Sequence, residues 1–139
     1  MGLFSRNKKE KVKMTPHEQA FNSANNVFKD MLLSDEVIEK VLKGKGNSTN
    51  RVFSTGILAA TNKRLLYYYQ DGNKTGKENI LYNKILSVSK ISGYENNMGS
   101  YIGISIELAN GMQRVVRCLN KDIYNTMIND IMFYIEQNR

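Results

Sequence analysis

Apolar residues recur at helical spacing near both ends of the chain and at alternate positions between them. Ala20, Phe21, Ala24, Val27, Phe28 and Met31 fall on one helical face, and Asn22, Asn25, Asn26 and Lys29 on the other. Thr15-Pro16-His17-Glu18 is a strong start: Thr15 can cap, Pro16 suits the first helical position, and Glu18 completes a capping box. The pattern predicts a helix from Pro16 to about Leu32. Residues 34–42 are ambiguous, because Val37, Ile38, Val41 and Leu42 fit a helix while Val37, Glu39, Val41 and Lys43 alternate as in a strand. The glycines and polar residues of Lys43-Gly44-Lys45-Gly46-Asn47-Ser48-Thr49-Asn50-Arg51 predict a loop.

Strand signals follow. Residues 53–61, 64–70, 78–82 and 85–91 hold short apolar runs, separated by Asn62-Lys63 and by Asp71-Gly72-Asn73, with a polar stretch to Lys77. Ile102, Ile104, Ile106 and Leu108 alternate with Gly103, Ser105 and Glu107, the cleanest strand pattern in the chain. Asn110-Gly111 is a hairpin turn, and residues 112–119 pair back. Asn120 is placed to cap a last helix, whose stripe is Ile123, Met127, Ile128, Ile131, Tyr134 and Ile135. The order is helix, then about six or seven antiparallel strands, then a helix. That is a mainly β, α+β sandwich or open barrel in which the last helix plugs an open end.

Composition narrows the class. With 139 residues, 41% of them hydrophobic and 24% charged, the chain reads as one globular unit. One cysteine excludes an internal disulfide, and one cysteine with one histidine excludes the usual zinc sites. No stretch is long and apolar enough for a membrane span, and Leu3-Phe4 is too short for the core of a signal peptide. The net charge is +7, and more than half of it lies in the first fourteen residues, where Arg6, Lys8, Lys9, Lys11 and Lys13 face only Glu10. Residues 1–14 read as a basic tail, 15–33 as the helix and 34–139 as the domain. Leu3 and Phe4 followed by these cations form a candidate contact for an anionic membrane or another polyanion. Met1-Gly2 lacks the rest of a myristoylation signal, since Arg6 stands where Ser or Thr is needed.

Reactive chemistry is sparse. Gly72-Asn73-Lys74-Thr75-Gly76-Lys77 is one residue short of a phosphate loop and is followed by Glu78 rather than Ser or Thr. Gly44-Lys45-Gly46 opens no helix. His17 has no acid or thiol near it, Cys118 ends an apolar strand, and Asp71, Glu78, Glu95, Glu107 and Asp122 suggest no pair. Tyr67-Tyr68-Tyr69 near Lys63 and Arg64 could stack bases, but tyrosines are ordinary strand residues and the body lacks a wide basic field, so nucleic acid is disfavoured. In a meander the first and third connections share one end. A first strand over 37–42 would therefore bring Lys43, Lys45 and Arg51 beside Lys74 and Lys77 as an anion- or partner-binding loop cluster. The face formed by Phe21, Val27, Phe28 and Met31 is a candidate for self-association.

The run Gly56-Ile57-Leu58-Ala59-Ala60-Thr61-Asn62-Lys63-Arg64-Leu65-Leu66-Tyr67 resembles the second and third strands of bacterial pleckstrin-homology-like domains of the YokE and GRAM-like type. Ile80-Leu81-Tyr82-Asn83-Lys84-Ile85-Leu86-Ser87-Val88 is similar to that family's next signature, and residues 101–137 fit its closing strands and helix. The resemblance covers about residues 34–137 and leaves the first helix as an addition. It implies a PH-like barrel of seven antiparallel strands closed by a C-terminal helix, and it offers no catalytic residues to carry over; no metal and no cofactor are expected. Eukaryotic relatives often bind phosphoinositides, but a fold alone does not transfer that activity. The expectation is a non-catalytic cytoplasmic binding or adaptor module for a protein or peptide. The alternatives are a peripheral protein at the inner membrane face and a phage or mobile-element inhibitor of a host complex. The asparagine-, lysine- and isoleucine-rich composition suits a low-GC bacterium or its phage.

Overall fold

The computed structural model describes residues 13–48 and 51–139, with the side chains of Ser48, Arg51, Val52 and Phe53 outside the description. Helix α1 (Pro16–Phe28) is followed by seven strands: β1 (Ile38–Ser48), β2 (Arg51–Thr61), β3 (Leu65–Asp71), β4 (Lys74–Ile80), β5 (Ile85–Glu95), β6 (Gly99–Leu108) and β7 (Gln113–Leu119). A short 3-10 turn, Tyr82–Lys84, joins β4 to β5, and helix α2 (Asp122–Asn138) ends the fold. All pairings are antiparallel, in the order β4-β3-β2-β1-β7-β6-β5. The mainly β class, the seven strands and the closing C-terminal helix are as the resemblance implied, and the N-terminal helix is where the apolar spacing predicts one.

The sheet curls so that β3 and β4 reach across to β7. Arg114 on β7 and Glu78 on β4 meet in a two-pronged ion pair (Nη2 to Oε2 2.7 Å), and the Tyr67 hydroxyl reaches across from β3 to the Val115 carbonyl (3.4 Å). Inside the roll lie Leu42, Leu58, Tyr67, Ile104, Ile106 and Val116, all essentially without solvent exposure. Met127, Ile128, Ile131 and Ile135 of α2 close this core, while Ile123 of the expected stripe is exposed and Tyr134 half-buried.

The opposite face of β1–β3 is buried as well. Val41, Ala59 and Leu66 form one cross-strand row pointing away from the barrel interior, yet none is more than 2% exposed. Helix α1 covers them. Its Ala20, Ala24 and Phe28 are buried, and its Ser23 hydroxyl accepts from the Lys43 ammonium (3.0 Å). Thus β2 and β3 read as near-continuous apolar runs because both of their faces are covered. The face proposed for self-association is used at home: Phe28 is fully buried, and Phe21, Val27 and Met31 pack partly buried against the same core.

Local signals mostly act as written. Thr15 and Glu18 form the reciprocal capping box (Glu18 N to Thr15 Oγ1 3.1 Å, Thr15 N to Glu18 Oε1 2.9 Å). The helix stops at Phe28 rather than Leu32. The carbonyl of Met31 is drawn to the Arg64 guanidinium (2.8 Å) and the amide of Leu33 to Glu36 (3.1 Å), so the backbone leaves the helix to meet them. The segment from Lys43 is strand, not loop. Gly44 and Gly46 serve close approach instead of a turn: a Cβ on Gly44 would lie 2.2 Å from the Arg117 carbonyl oxygen, and one on Gly46 would lie 2.6 Å from the Tyr67 hydroxyl. The polar stretch at Lys74–Lys77 is also strand, the edge strand β4, where polar residues are at home. Asn120 does not cap α2. Its amide donates to Ser100 Oγ (3.1 Å), and the position before the helix is Lys121, with no side-chain cap.

Because the ring of Phe28 is buried in the chain's own core, Phe28→Ala is expected to cost roughly 3–5 kcal/mol. Urea denaturation of dilute protein reads this, and the loss should not depend on protein concentration if the helix packs within the chain.

Candidate functional site

The five cations expected to share a loop cluster are divided among different neighbours. Lys43 lies on β1 in register with Ile57, and its ammonium is held by Ser23 of α1. Lys45 belongs to an ion-pair group on the other side: Glu95, at the end of β5, takes Lys45 on one carboxylate oxygen and Arg117 of β7 on the other. Those contacts, led by the Lys45 hydrogen bond, hold the Glu95 carboxyl below its ordinary range. Lys74 opens β4 opposite Asp71, and Lys77 lies opposite Tyr68. Both are exposed. The Arg51 side chain lies outside the described residues, as do Leu3, Phe4, Arg6, Lys8, Lys9 and Lys11. Lys13 is exposed just ahead of α1.

A buried ionic network was not anticipated from the sequence. Glu36, in the segment between α1 and β1, has a fully buried side chain that accepts from Arg64 (Nε to Oε2 2.9 Å, Nη2 to Oε1 2.9 Å) and from the Thr61 hydroxyl (2.6 Å). Tyr82 donates to the Thr61 carbonyl (2.6 Å), tying the same point to the β4–β5 connection. Burial alone would raise the Glu36 pKa. The hydrogen bonds from Arg64, Thr61 and the Leu33 amide outweigh that effect and bring it down to about 2. All of the donors are committed within the fold, so this network anchors the α1–β1 segment.

The remaining reactive groups are spent or isolated. Burial pushes the Cys118 thiol up to about 12, and its sulfur lies 3.4 Å from the Lys43 carbonyl oxygen. His17 stands on the exposed start of α1 with its ring against Phe21. Tyr67 is fully buried, whereas Tyr68 and Tyr69 are half-buried. Among the described residues no cluster of histidine, cysteine and carboxylate side chains has the makings of a metal site. No described helix is long and apolar enough to cross a membrane.

One concave surface is mainly apolar. A groove of about 620 Å³ runs between the end of β4 and the β6–β7 hairpin. Ile80, Leu81, Leu108 and Ala109 form its floor and wall, with Lys84, Asn79 and Asn110 at its margin. Leu81 leaves 47% of its surface exposed there, although it sits between the buried Ile80 and Tyr82. The Ala109 amide donates to the Lys84 carbonyl (2.8 Å), which fixes the hairpin relative to the 3-10 turn. The sequence placed Leu81 only in an apolar run. Its exposure depends on the 3-10 turn that follows, which no local pattern had indicated.

Glu36 yields a pH prediction. Its folded pKa is depressed, so its stabilising contribution is complete above the ordinary carboxylate value near 4.5 and is lost as pH falls toward about 2. Glu36→Gln should flatten this part of the stability–pH curve. At neutral pH it should cost roughly 1.5–3 kcal/mol, because the partly buried Arg64 keeps an amide oxygen to donate to but loses the opposing charge. Chemical denaturation followed from pH 7 downward measures both effects.

Comparison with known proteins places this geometry. Solved structures share the fold, among them the following three. The crystal structure of a pleckstrin homology domain from Shewanella amazonensis SB2B aligns over 84% of this chain and 95% of its own, with 12% identity and a TM-score of 0.53. The C-terminal domain of an unknown protein from Leishmania infantum aligns over 84% and 97%, with 13% identity and a TM-score of 0.56. The hSac2 domain of the human phosphoinositide phosphatase Sac2 aligns over 90% and 85%, with 12% identity and a TM-score of 0.50. At these identities the likeness is one of fold. A search of curated proteins finds no match. The family model described as Bacterial PH domain matches residues 32–134, from just before β1 to the last turns of α2 and without α1, and the chain belongs to that family.

Proposed function

We propose that the chain is a non-catalytic binding module that takes a peptide segment of a protein partner in the groove beside Leu81. The observation that carries this reading is a large leucine held half-exposed over an apolar floor, in a fold whose ionisable groups are otherwise paired or solitary. An apolar side chain of the partner would cover Leu81 and Leu108, and burying one such side chain is worth about 1.5–3 kcal/mol. Lys84 at the margin favours a carboxylate next to that anchor, and Asn79 and Asn110 offer amide donors and acceptors for the partner's backbone. The fixed hairpin and 3-10 turn present the groove ready-formed, which lowers the ordering cost of binding.

A second reading, contact with an anionic membrane, is supported by the cations of residues 1–14. The two readings are separable, because they rest on different residues: the groove on Leu81 and its neighbours, the membrane contact on residues 1–14. Sedimentation with phosphatidylserine and phosphatidylcholine vesicles tests the second reading: the full chain should pellet only with the former, and no pelleting with either removes it.

Selection of a random-peptide display library on the full-length chain tests the first. Recovered peptides should carry an apolar residue flanked by Asp or Glu. They should bind Leu81→Asp at least about tenfold more weakly than the unaltered chain, a loss of about 1.4 kcal/mol. Failure to recover peptides, or binders indifferent to Leu81→Asp, would overturn the reading.

A further inference from the structure

Strand β5 is one of the two margins of the sheet, and its only strand partner among the described residues is β6. The other margin, β4, is guarded. It is seven residues long, carries Lys74, Lys77 and Glu78, and is tied across to β7 by the ion pair of Glu78 with Arg114. β5 is eleven residues long and has no proline. Its single basic side chain, Lys90, is drawn off the margin to Asn125 of α2. A long strand margin without such guards offers its unpaired backbone donors and acceptors to another strand.

The free part of this margin has definite limits. At its start the ladder slips between Ile85 and Ser87, and the Arg139 guanidinium at the end of α2 takes the Ile85 and Leu86 carbonyls (3.5 and 3.0 Å). At its end the chain turns after Glu95, whose carboxylate is held by Lys45 and Arg117. Residues 87–95 remain, in unbroken register with β6, and their midpoint is Ile91. Ile91 is half-buried and lies opposite Gly103, which gives it no side chain to pack on across that pair. Tyr94 leaves 73% of its surface exposed. Val88, on the same face of the strand as Tyr94, is half-buried against the core.

We propose that residues 87–95 pair antiparallel with the same residues of a second copy of the chain, joining the two sheets across a twofold axis at Ile91. Such an interface is self-complementary, so association stops at two. Centring on Ile91 uses the whole of the free margin. It sets Val88 of each copy opposite Tyr94 of the other, an aromatic–β-branched pair of the kind that stabilises sheets, and it sets the two Ile91 side chains against each other. Charge agrees with this register. Lys90 meets Ser92 and Glu95 meets Ser87, so no like charges stand directly opposite. An axis moved to Lys90 would oppose two ammonium groups, which is destabilising. An axis moved to Ser92 would leave Val88 beyond the ladder and Tyr94 without its partner.

Sedimentation velocity of the full chain over a micromolar-to-millimolar concentration series tests the proposal. The unaltered chain should pass from monomer to dimer. Ile91→Lys and Ile91→Asp each place like charges against themselves at the axis, and Ile91 lies outside the core, so both should keep the native amide spectrum. Each alone should need at least about tenfold more protein to dimerise. An equimolar mixture of the two sets Lys against Asp and should regain the dimer. On dilution of the unaltered chain, amide shifts should move along residues 87–95 and stay fixed along β4. A chain that stays monomeric throughout, which leaves the margin to solvent or to a strand of another protein, would overturn the proposal. So would a dimer indifferent to both substitutions, a mixture no better than either variant alone, or dilution shifts centred away from β5.

Discussion

The structure turns on a sheet that must be covered twice. Val41, Ala59 and Leu66 face away from the barrel, Leu42, Leu58 and Tyr67 face into it, and every one of them is almost wholly buried. A seven-stranded roll closed by one helix can shelter only the inner set. The outer set needs a second cover, and α1 supplies it from a part of the chain that the Bacterial PH domain model does not include. The addition at the N-terminus is therefore part of the hydrophobic core of this chain.

That requirement explains the polar anchoring nearby. A helix pressed on the outside of a sheet needs its connection fixed, or it would gain freedom by lifting away. Glu36, Arg64 and Thr61 fix it within a few residues of the helix end, through bonds that also hold the β2–β3 turn and, via Tyr82, the β4–β5 connection. A buried ion pair of this kind adds little net stability over an apolar pair of the same shape. It sets direction: only one path of residues 29–37 lets the carboxylate meet both the guanidinium and the hydroxyl. The same connection places the 3-10 turn, and with it Leu81 at the groove.

Much of the fold was legible because its elements obey local periodicity. The α1 capping box, the β6 alternation and the Asn110-Gly111 turn all appear where the sequence put them. The errors share one physical cause, since each involved a residue whose role is set by a distant neighbour. Gly44 and Gly46 look like turn glycines, but Arg117 and Tyr67 press against them from other strands. Phe21, Val27, Phe28 and Met31 look like a free stripe, but the outer row of β1–β3 lies beneath them. The candidate sites were less legible still. Lys45 reads as a loop cation, yet its partner is Glu95, fifty residues away, and no local pattern marks Arg117. Leu81 acquires its exposure only from how the 3-10 turn meets the β6–β7 hairpin. Sequence spacing reports what one element does, and these sites are made where elements from separate parts of the chain converge.

The outer surface is thereby divided into a covered apolar face, an apolar groove with a basic margin and a cationic row bridged by Glu95. The first of these depends directly on α1 lying on the sheet of its own chain. Nuclear Overhauser contacts from the Phe28 ring, recorded on a sample mixed from two differently labelled preparations, test this most directly. The account predicts contacts with the methyls of Val41 and Ala59 within one molecule and none between molecules. Contacts seen only between differently labelled chains, or no contacts with those methyls, would contradict it.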